Sequence, residues 1–554
     1  MEHARRNPLL MAALAAGALC ALLALVPTAW YAESFAHPAR VARLGGAVPE
    51  ATLHGALLFR FALAAGALLV PLLAFALVRA CGAPARAGRR LWPSDSRGWV
   101  MLGAITAAGA AVRVALATES LWYDEISAFL SFAIEGPGVA FGSYAVPTNH
   151  VPMTLATWLS WTISGGSLNE LVLRAPALLA GIAAIPAGYA LAATVLPRRA
   201  AVLGAIAVAA APIAVLESVE ARGYAFVIFA AIVAATAFAR AMRTRAATDY
   251  AVFACACAFG AWAHPVAILL PIAAGAVGLA RDRRLAIAAL LAGAIAAVLL
   301  SPLAGDMLAG RRDYLHSASD QPTVFSREGY EALLVPTLSW SSRLLSLPNA
   351  LLTLIAAAGA VRIARRARLR AAVVPFGLAF ALAFLLSIAF GTWIYARFLL
   401  FALPMGVLAM AAAGARDRKR TRLVGALLVL ALADGLRGYT VKQPIRDAVA
   451  VVARQRAEGD AVATIGLPDN AVGFYAQQFG FEAETTGFLG SELAALLARA
   501  EPRFIIVLYP DRMTDDVLRT LDARFDRTHR LDGWADWGAG AVEVWRRAGG
   551  SALE

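Results

Sequence analysis

Charged residues and cysteines are both scarce in this sequence. Charged residues make up 16% of the 554 residues, hydrophobic residues make up 60%, and the mean hydropathy is +0.66. A chain this apolar is not an ordinary soluble protein, and a membrane protein is indicated. Of the four cysteines, Cys20, Cys255 and Cys257 lie in apolar runs and Cys81 at the edge of one. No disulfide framework or zinc site is therefore indicated.

Long apolar runs dominate the sequence instead. They are about 20 residues long, and a helix of that length crosses the roughly 30 Å hydrocarbon core of a bilayer. Short Arg-rich or Pro-rich pieces separate them. The pattern predicts a polytopic α-helical membrane protein with about thirteen transmembrane helices. The predicted spans are residues 8–31, 53–79, 98–117, 172–196, 200–216, 222–241, 248–263, 264–281, 284–303, 346–364, 371–390, 396–414 and 421–438.

Arginines cluster in alternate loops of this arrangement. They precede the first and third predicted spans, follow the fourth and sixth, and recur at 281–284, 362–370 and 416–422. All of these clusters fall on one side, which is the positive-inside pattern, here of a bacterial-type inner membrane. The net charge of +13 therefore reflects topology, and no nucleic-acid partner is expected. Residues 118–171, 304–345 and 439–554 are predicted to be extracytoplasmic.

Two apolar segments allow a second interpretation. Val151 to Ser164 would form a helix of only about 21 Å, and a crossing there would move every later basic loop outside. We therefore predict a helix along the outer surface. The first span follows Arg5 and Arg6, as a signal peptide would. Its length of about 23 apolar residues favours a retained anchor.

Acidic and basic side chains gather in two of the outer segments. Asp124 and Glu125 follow the third span beside Trp122 and Tyr123, and residues 217–224 carry Glu-Ser-Val-Glu-Ala-Arg-Gly-Tyr. A solvated loop with an aromatic belt is the alternative interpretation of the first segment. A salt-bridged helix cap is the alternative for the second.

Several short motifs occur in a fixed order between residues 98 and 415. They are Asp124-Glu125, His150-Val151-Pro152, Asn169 to Pro176, Ser218 to Tyr224, His264-Pro265 and Tyr395 to Pro404. Together they resemble the GT-C class of membrane glycosyltransferases, specifically the family 39 and dolichyl-phosphate-mannose mannosyltransferase-like group, which includes the bacterial aminoarabinose lipid A transferases. Val151, Met153, Thr154 and Gly223 depart from that pattern, and they leave the substrate open.

The resemblance implies inverting transfer of a sugar from a polyprenyl-phosphate donor to an acceptor hydroxyl on the extracytoplasmic face. The product would be a cell-envelope glycan, a lipopolysaccharide or a glycosylated protein. The attacking hydroxyl must lose a proton, so a carboxylate base is needed, and we predict Asp124 for this role. Neighbours on a helix point about 100° apart, so Glu125 is expected to orient a partner or bind the acceptor. Neither a metal nor another cofactor is expected.

The leaving phosphate calls for positive charge, which arginine forks supply. Each candidate arginine also has a structural interpretation. Arg222 could pair with Glu220, and Arg397 could anchor a helix end. Arg311 and Arg312 could be ordinary loop charges. His150 stands where relatives often hold a cation, and Glu220 is expected to contact the acceptor or the sugar. The predicted substrate-binding residues are His150, Glu220, Arg222, Tyr224, Arg311, Arg312 and Arg397.

Three domains are predicted: two N-terminal spans with a basic loop (1–97), a transmembrane catalytic core (98–438) and a soluble domain (439–554). In the last, helices at 445–456 and 469–479 alternate with strands at 461–465 and 503–509, and a strand at 541–546 could close the sheet. This alternation predicts a small α/β domain. It contains no nucleophile elbow and no Gly-rich phosphate loop, so an accessory role is expected.

A lipid-linked glycan transporter or flippase is the competing class. Transport sites usually lie near the bilayer midplane, often between repeated halves. Here no repeat is found, and the acidic residues are placed at the outer rim of the predicted spans.

Overall fold

The computed structural model describes residues 7–82, 88–310, 347–390, 395–437, 439–467, 470–499, 501–535 and 540–548. The chain divides into two compact units. The helical unit consists of Met1–Ala117 and Phe132–Gly438, and the sheet unit consists of Thr118–Ser131 and Tyr439–Glu554. A polytopic helical protein with a small C-terminal sheet domain is thus confirmed.

Helices make up most of the described chain. In order they are α1 Pro8–Ala24, α2 Thr28–Phe35, α3 Pro38–Arg43, α4 Glu50–Cys81, α5 Ser96–Leu116, α6 Tyr123–Ala128, α7 Pro137–Gly142, α8 Val151–Ile163, α9 Glu170–Val195, α10 Arg198–Ala210, α11 Pro212–Leu216, α12 Tyr224–Thr244, α13 Ala247–Ala263, α14 Leu269–Arg281, α15 Arg283–Leu300, α16 Leu347–Arg365, α17 Ala367–Phe390, α18 Leu403–Gly414, α19 Arg418–Arg437, α20 Ile445–Gln455, α21 Ala471–Ala476, α22 Leu493–Arg499 and α23 Asp515–Asp522.

Seven helical segments within the described residues are long and apolar enough to cross a membrane, or eight if α1 and α2 are one bent span. They make the chain a multi-pass membrane protein. The predicted count of thirteen is not confirmed. Two further apolar helices, Ala247–Ala263 and Pro265–Arg281, are shorter than a full span. The helix predicted at Val151 to Ser164 is present as α8, and its place at the membrane surface stays a prediction.

Prolines divide two of the predicted spans. Pro27 separates α1 from α2, which meet at an angle of 91°, so residues 8–31 do not form one straight helix. Pro212 likewise separates α10 from α11 within the predicted span 200–216. Proline lacks the amide hydrogen that an uninterrupted helix needs, and it disfavours helical backbone in the residue before it.

Small residues allow close helix packing in the core of the helical unit. A Cβ added at Gly188 on α9 would lie 2.6 Å from the carbonyl oxygen of Gly204 on α10, and one at Gly204 would lie 2.3 Å from that of Gly188. The two backbones therefore touch at a point where only glycine fits. Such contacts are typical of membrane helices, where apolar burial offers no advantage over lipid.

The sheet unit contains five strands: β1 Val462–Gly466, β2 Glu484–Phe488, β3 Phe504–Leu508, β4 Phe525–Leu531 and β5 Val542–Arg547. Their order in the sheet is β2-β1-β3-β5-β4. β1 is parallel to both β2 and β3, whereas β5 is antiparallel to β3 and β4. All five residues of β1 and of β3 are buried, in keeping with the mostly apolar sequence of β1 and the wholly apolar sequence of β3.

Candidate active site

Predicted site residues of the helical unit converge on the ring of Tyr224. The guanidinium carbon of Arg222 lies 5.8 Å from the ring centroid, and that of Arg397 lies 5.7 Å from it. The His150 ring meets Tyr224 edge to face, with centroids 4.9 Å apart. Residues from three distant parts of the sequence therefore meet at one place. We call this group the arginine–aromatic cluster: His150, Arg222, Tyr224, His264, Tyr395 and Arg397.

Tyr224 and Arg222 are positioned by the turn that precedes α12. The Arg222 amide donates to the carbonyl oxygen of Glu220 (2.7 Å), and its Nη1 donates to that of Thr148 (3.3 Å). Glu217, Glu220 and Arg222 are 7%, 6% and 3% exposed. Burying ionisable groups is costly unless they are satisfied. The turn is therefore an enclosed polar segment.

Aromatic rings fix the orientation of Arg397. Its guanidinium carbon stands 4.2 Å from the ring centroid of Tyr395, closer than to Tyr224. Tyr395 meets Phe398 edge to face at 5.1 Å, and Phe398 in turn lies 4.8 Å from His264. A stacked guanidinium keeps its charge while its plane is held. The arrangement thus presents a charged, oriented arginine.

His150 is a neutral member of the cluster. Its Nδ1 lies 3.0 Å from the carbonyl oxygen of Ala263, which only accepts, so Nδ1 carries the proton and Nε2 is an acceptor. Burial and the charge of Arg222, with His264 and Arg397 contributing less, hold the pKa of His150 well below its ordinary value. At neutral pH this residue therefore supplies a hydrogen-bonding ring and not a cation.

A buried arginine that was not among the predicted site residues binds the break between α10 and α11, shortly before this turn. Arg113 of α5 is fully buried. Its Nη2 donates to the carbonyl oxygens of Val208 (3.0 Å) and Ala214 (3.4 Å), and its Nη1 donates to those of Gly109 (3.1 Å) and Ala209 (3.2 Å). The sequence did contain a signal for this residue, because Arg113 is a lone arginine inside an apolar span. Ionisable residues in such spans usually have a functional role.

Asp124 and Glu125 lie in the sheet unit, in the first turn of α6. Their surroundings differ. Glu125 is 1% exposed, and its Oε2 accepts from the Trp122 amide at 3.1 Å, which caps the start of α6. Asp124 is half-buried. The geometry thus gives Glu125 a structural task at the helix start, and Asp124 is the more exposed carboxylate of the pair.

Two predicted phosphate ligands, Arg311 and Arg312, lie outside the described residues. Their role stays a prediction. Within the part of the chain that is described, no group of three or more His, Cys, Asp or Glu side chains is placed to hold a metal ion.

Comparison with known proteins gives distant structural likenesses. No family model matches the chain, and no curated protein matches it. The archaeal oligosaccharyltransferase AglB from Archaeoglobus fulgidus, solved with an inhibitory peptide and a dolichol-phosphate, is 12% identical. That likeness covers 75% of this chain and 70% of AglB, with a TM-score of 0.46. ArnT from Cupriavidus metallidurans, bound to undecaprenyl phosphate, is 15% identical over 82% of this chain and 99% of ArnT, with a TM-score of 0.37.

Both neighbours are membrane glycosyltransferases of the GT-C class, the class that the motifs of this chain resemble. The resemblance predicted from the sequence thus agrees with the structural neighbours.

Proposed function

We propose that this protein transfers a sugar from a polyprenyl-phosphate donor to an acceptor hydroxyl at the extracytoplasmic face, with inversion at the anomeric carbon. The observation that carries the proposal is the arginine–aromatic cluster. Two arginines approach one tyrosine ring at 5.8 and 5.7 Å in a chain with few charged residues. The two guanidinium groups concentrate positive charge at one enclosed place, and that charge suits an anionic ligand such as a phosphate.

The anion proposed for this cluster is the donor phosphate. Arginine forks match phosphate oxygens, and they stabilise the negative charge that grows on the departing phosphate. Because that phosphate is already a good leaving group, a second carboxylic acid of the glycosidase kind is not required. Glu220, in the same buried turn, is proposed to contact the sugar or the acceptor.

The proposed base is Asp124. A single displacement needs one group to accept the hydroxyl proton as the acceptor attacks the anomeric carbon, and it forms no covalent sugar–enzyme intermediate. Of the two adjacent carboxylates, Glu125 caps the start of α6. The partly exposed Asp124 is therefore the better candidate for contact with an acceptor.

The test of this function is sugar transfer by the purified protein with polyprenyl-phosphate sugars, with the anomeric configuration of the product read by NMR. Asp124→Asn keeps the size of the side chain but cannot accept the proton. Turnover should fall by about 10²- to 10⁴-fold while donor binding persists. Glu125→Gln is the matched control, and it should lose less turnover while lowering thermal stability. Full activity of Asp124→Asn would remove this residue from the mechanism, and a retained configuration would exclude single displacement.

A further inference from the structure

The short segment that carries Asp124 belongs to the same compact unit as the C-terminal domain, although more than 300 residues separate them. Two backbone amides of this segment donate to side chains of that domain. The Leu121 amide donates to Oη of Tyr475 at 2.7 Å, and the Tyr123 amide donates to Oε1 of Gln443 at 3.0 Å. Both acceptor residues are fully buried.

Further contacts fix the same segment. Oγ of Ser120 accepts from the Arg446 amide at 3.1 Å. The ammonium group of Lys442 lies 3.8 Å from the ring centroid of Trp122, which is close for a cation over an aromatic face. The segment between Ser120 and Tyr123 is thus held at every residue by a hydrogen bond or a ring contact.

Aromatic packing continues on both sides of Asp124. Tyr123 meets Tyr509 edge to face with centroids 6.3 Å apart, and Phe129 meets Phe474 at 6.0 Å. The Tyr509 backbone has a φ of +56°, which is unusual for a residue with a side chain. These contacts place the C-terminal domain around α6, beginning one residue before Asp124.

Tyr475 and Gln443 satisfy two buried amides of the segment that leads into the candidate base. A general base must reach the proton at hydrogen-bond distance, and a displacement of about 1 Å can cost roughly 100-fold in rate. Hydrogen bonds to Leu121 and Tyr123 restrain the backbone that sets the position of Asp124.

We propose that Tyr475 and Gln443 are positioning residues, through which the C-terminal domain holds Asp124 in place for the reaction. The inference depends on the proposed function, in which Asp124 is the base. It gives the domain a role in catalysis that requires no ligand of its own.

The test uses three substitutions in the full-length protein that each delete one buried hydrogen bond with little change of shape. Tyr475→Phe and Gln443→Met remove the two acceptors. Thr486→Val is the matched control, since Oγ1 of Thr486 donates to the Thr464 carbonyl oxygen at 3.1 Å and is equally buried in the same domain. The first two should lower kcat by about 5- to 100-fold with donor KM within about twofold. Thr486→Val should keep both kcat and donor KM within about twofold of the wild-type values.

Two further measurements separate positioning from general stability. Amide exchange at Leu121 and Tyr123, followed by mass spectrometry, should accelerate in the first two variants and not in the control. In the Asp124→Asn background, Tyr475→Phe should lower the residual rate little further, because its effect acts through Asp124. The inference would be overturned if all three single variants had equal activity. It would also be overturned if Tyr475→Phe lowered turnover by the same factor in the Asp124→Asn background as in the wild type. Full activity of Asp124→Asn would instead refute the proposed base, which is a different result.

Discussion

Replacing Arg397 tests how the cluster would bind the donor phosphate. Arg397→Met retains most of the side-chain volume but removes the charge, and Arg397→Lys keeps the charge without the planar fork. Tyr395→Leu removes the ring on which the guanidinium is stacked, and Tyr395→Phe keeps that ring. The four variants separate charge, fork geometry and orientation.

The distances set the expected order of effects. Loss of a charge-assisted phosphate contact costs roughly 2–4 kcal/mol in the transition state, or about 30- to 1000-fold in rate. The stack at 4.2 Å is worth about 0.5–2 kcal/mol, so Tyr395→Leu should cost about 2- to 30-fold. The loss of rate in Arg397→Lys should lie between the losses in Tyr395→Leu and Arg397→Met. Tyr395→Phe should stay close to the wild type because the aromatic face remains.

The assay is single-turnover transfer from a polyprenyl-phosphate sugar, with circular dichroism and thermal unfolding in detergent to verify folding. Donor turnover should fall in the stated order while the helical signal is unchanged. In the Arg397→Met background, Tyr395→Leu should lower the transfer rate little further, because Tyr395 is proposed to act by orienting Arg397. Near-normal turnover in Arg397→Met would refute the assignment of this cluster to phosphate, and Arg311 and Arg312 would become the better candidates.

Three other predictions concern topology, stability and pH. Ser164, Ser491 and Lys419 are exposed positions for cysteine labelling in a background without native cysteines. Ser164→Cys and Ser491→Cys should react with an impermeant thiol reagent in intact cells, whereas Lys419→Cys should react only after lysis. The reverse pattern would show that the predicted inner and outer sides are exchanged. Arg113→Met should destabilise the fold by about 2–4 kcal/mol, seen as a lower Tm, because buried carbonyl oxygens lose their donors. Because the pKa of His150 is lower in the folded protein than in the unfolded chain, stability should be full above about pH 6.5 and fall by at most about 1.4 kcal/mol per pH unit below it. His150→Gln should make this fall shallower, and a slope unchanged in the variant would assign it to other groups.

Much of the architecture follows from hydrophobicity, which acts locally along the chain. The helix Ile445–Gln455 and the buried strands Val462–Gly466 and Phe504–Leu508 lie within about two residues of their predicted bounds. The hydrophobic patterns of these elements are strong because the helix buries one face and the strands bury both. The strands Phe525–Leu531 and Glu484–Phe488 were not predicted. The first is a largely exposed edge strand with a polar sequence, and the second contains Gly487 at a φ of +72°.

The site was less accessible to prediction because its residues are distant in sequence. The motifs identified Arg222, Tyr224, His150 and Arg397 one by one, but no local pattern places them around a single ring. The neutral state of His150 depends on burial and on neighbouring charges, which sequence alone does not give. The anchoring of the Asp124 segment by Tyr475 joins residues 354 positions apart.

The break at Pro212 explains why an apolar chain keeps an arginine deep in its helical unit. An unbroken helix would pair the amide of residue 212 with the carbonyl oxygen of Val208, and proline has no such amide. Nη2 of Arg113 donates to that oxygen at 3.0 Å, and Nη1 donates to the next one, of Ala209, at 3.2 Å. Away from water the freed oxygens require an internal partner, and a guanidinium has donors enough for several of them at once. Arg113 therefore makes the break tolerable, and the break directs the chain into the buried turn that carries Glu220 and Arg222.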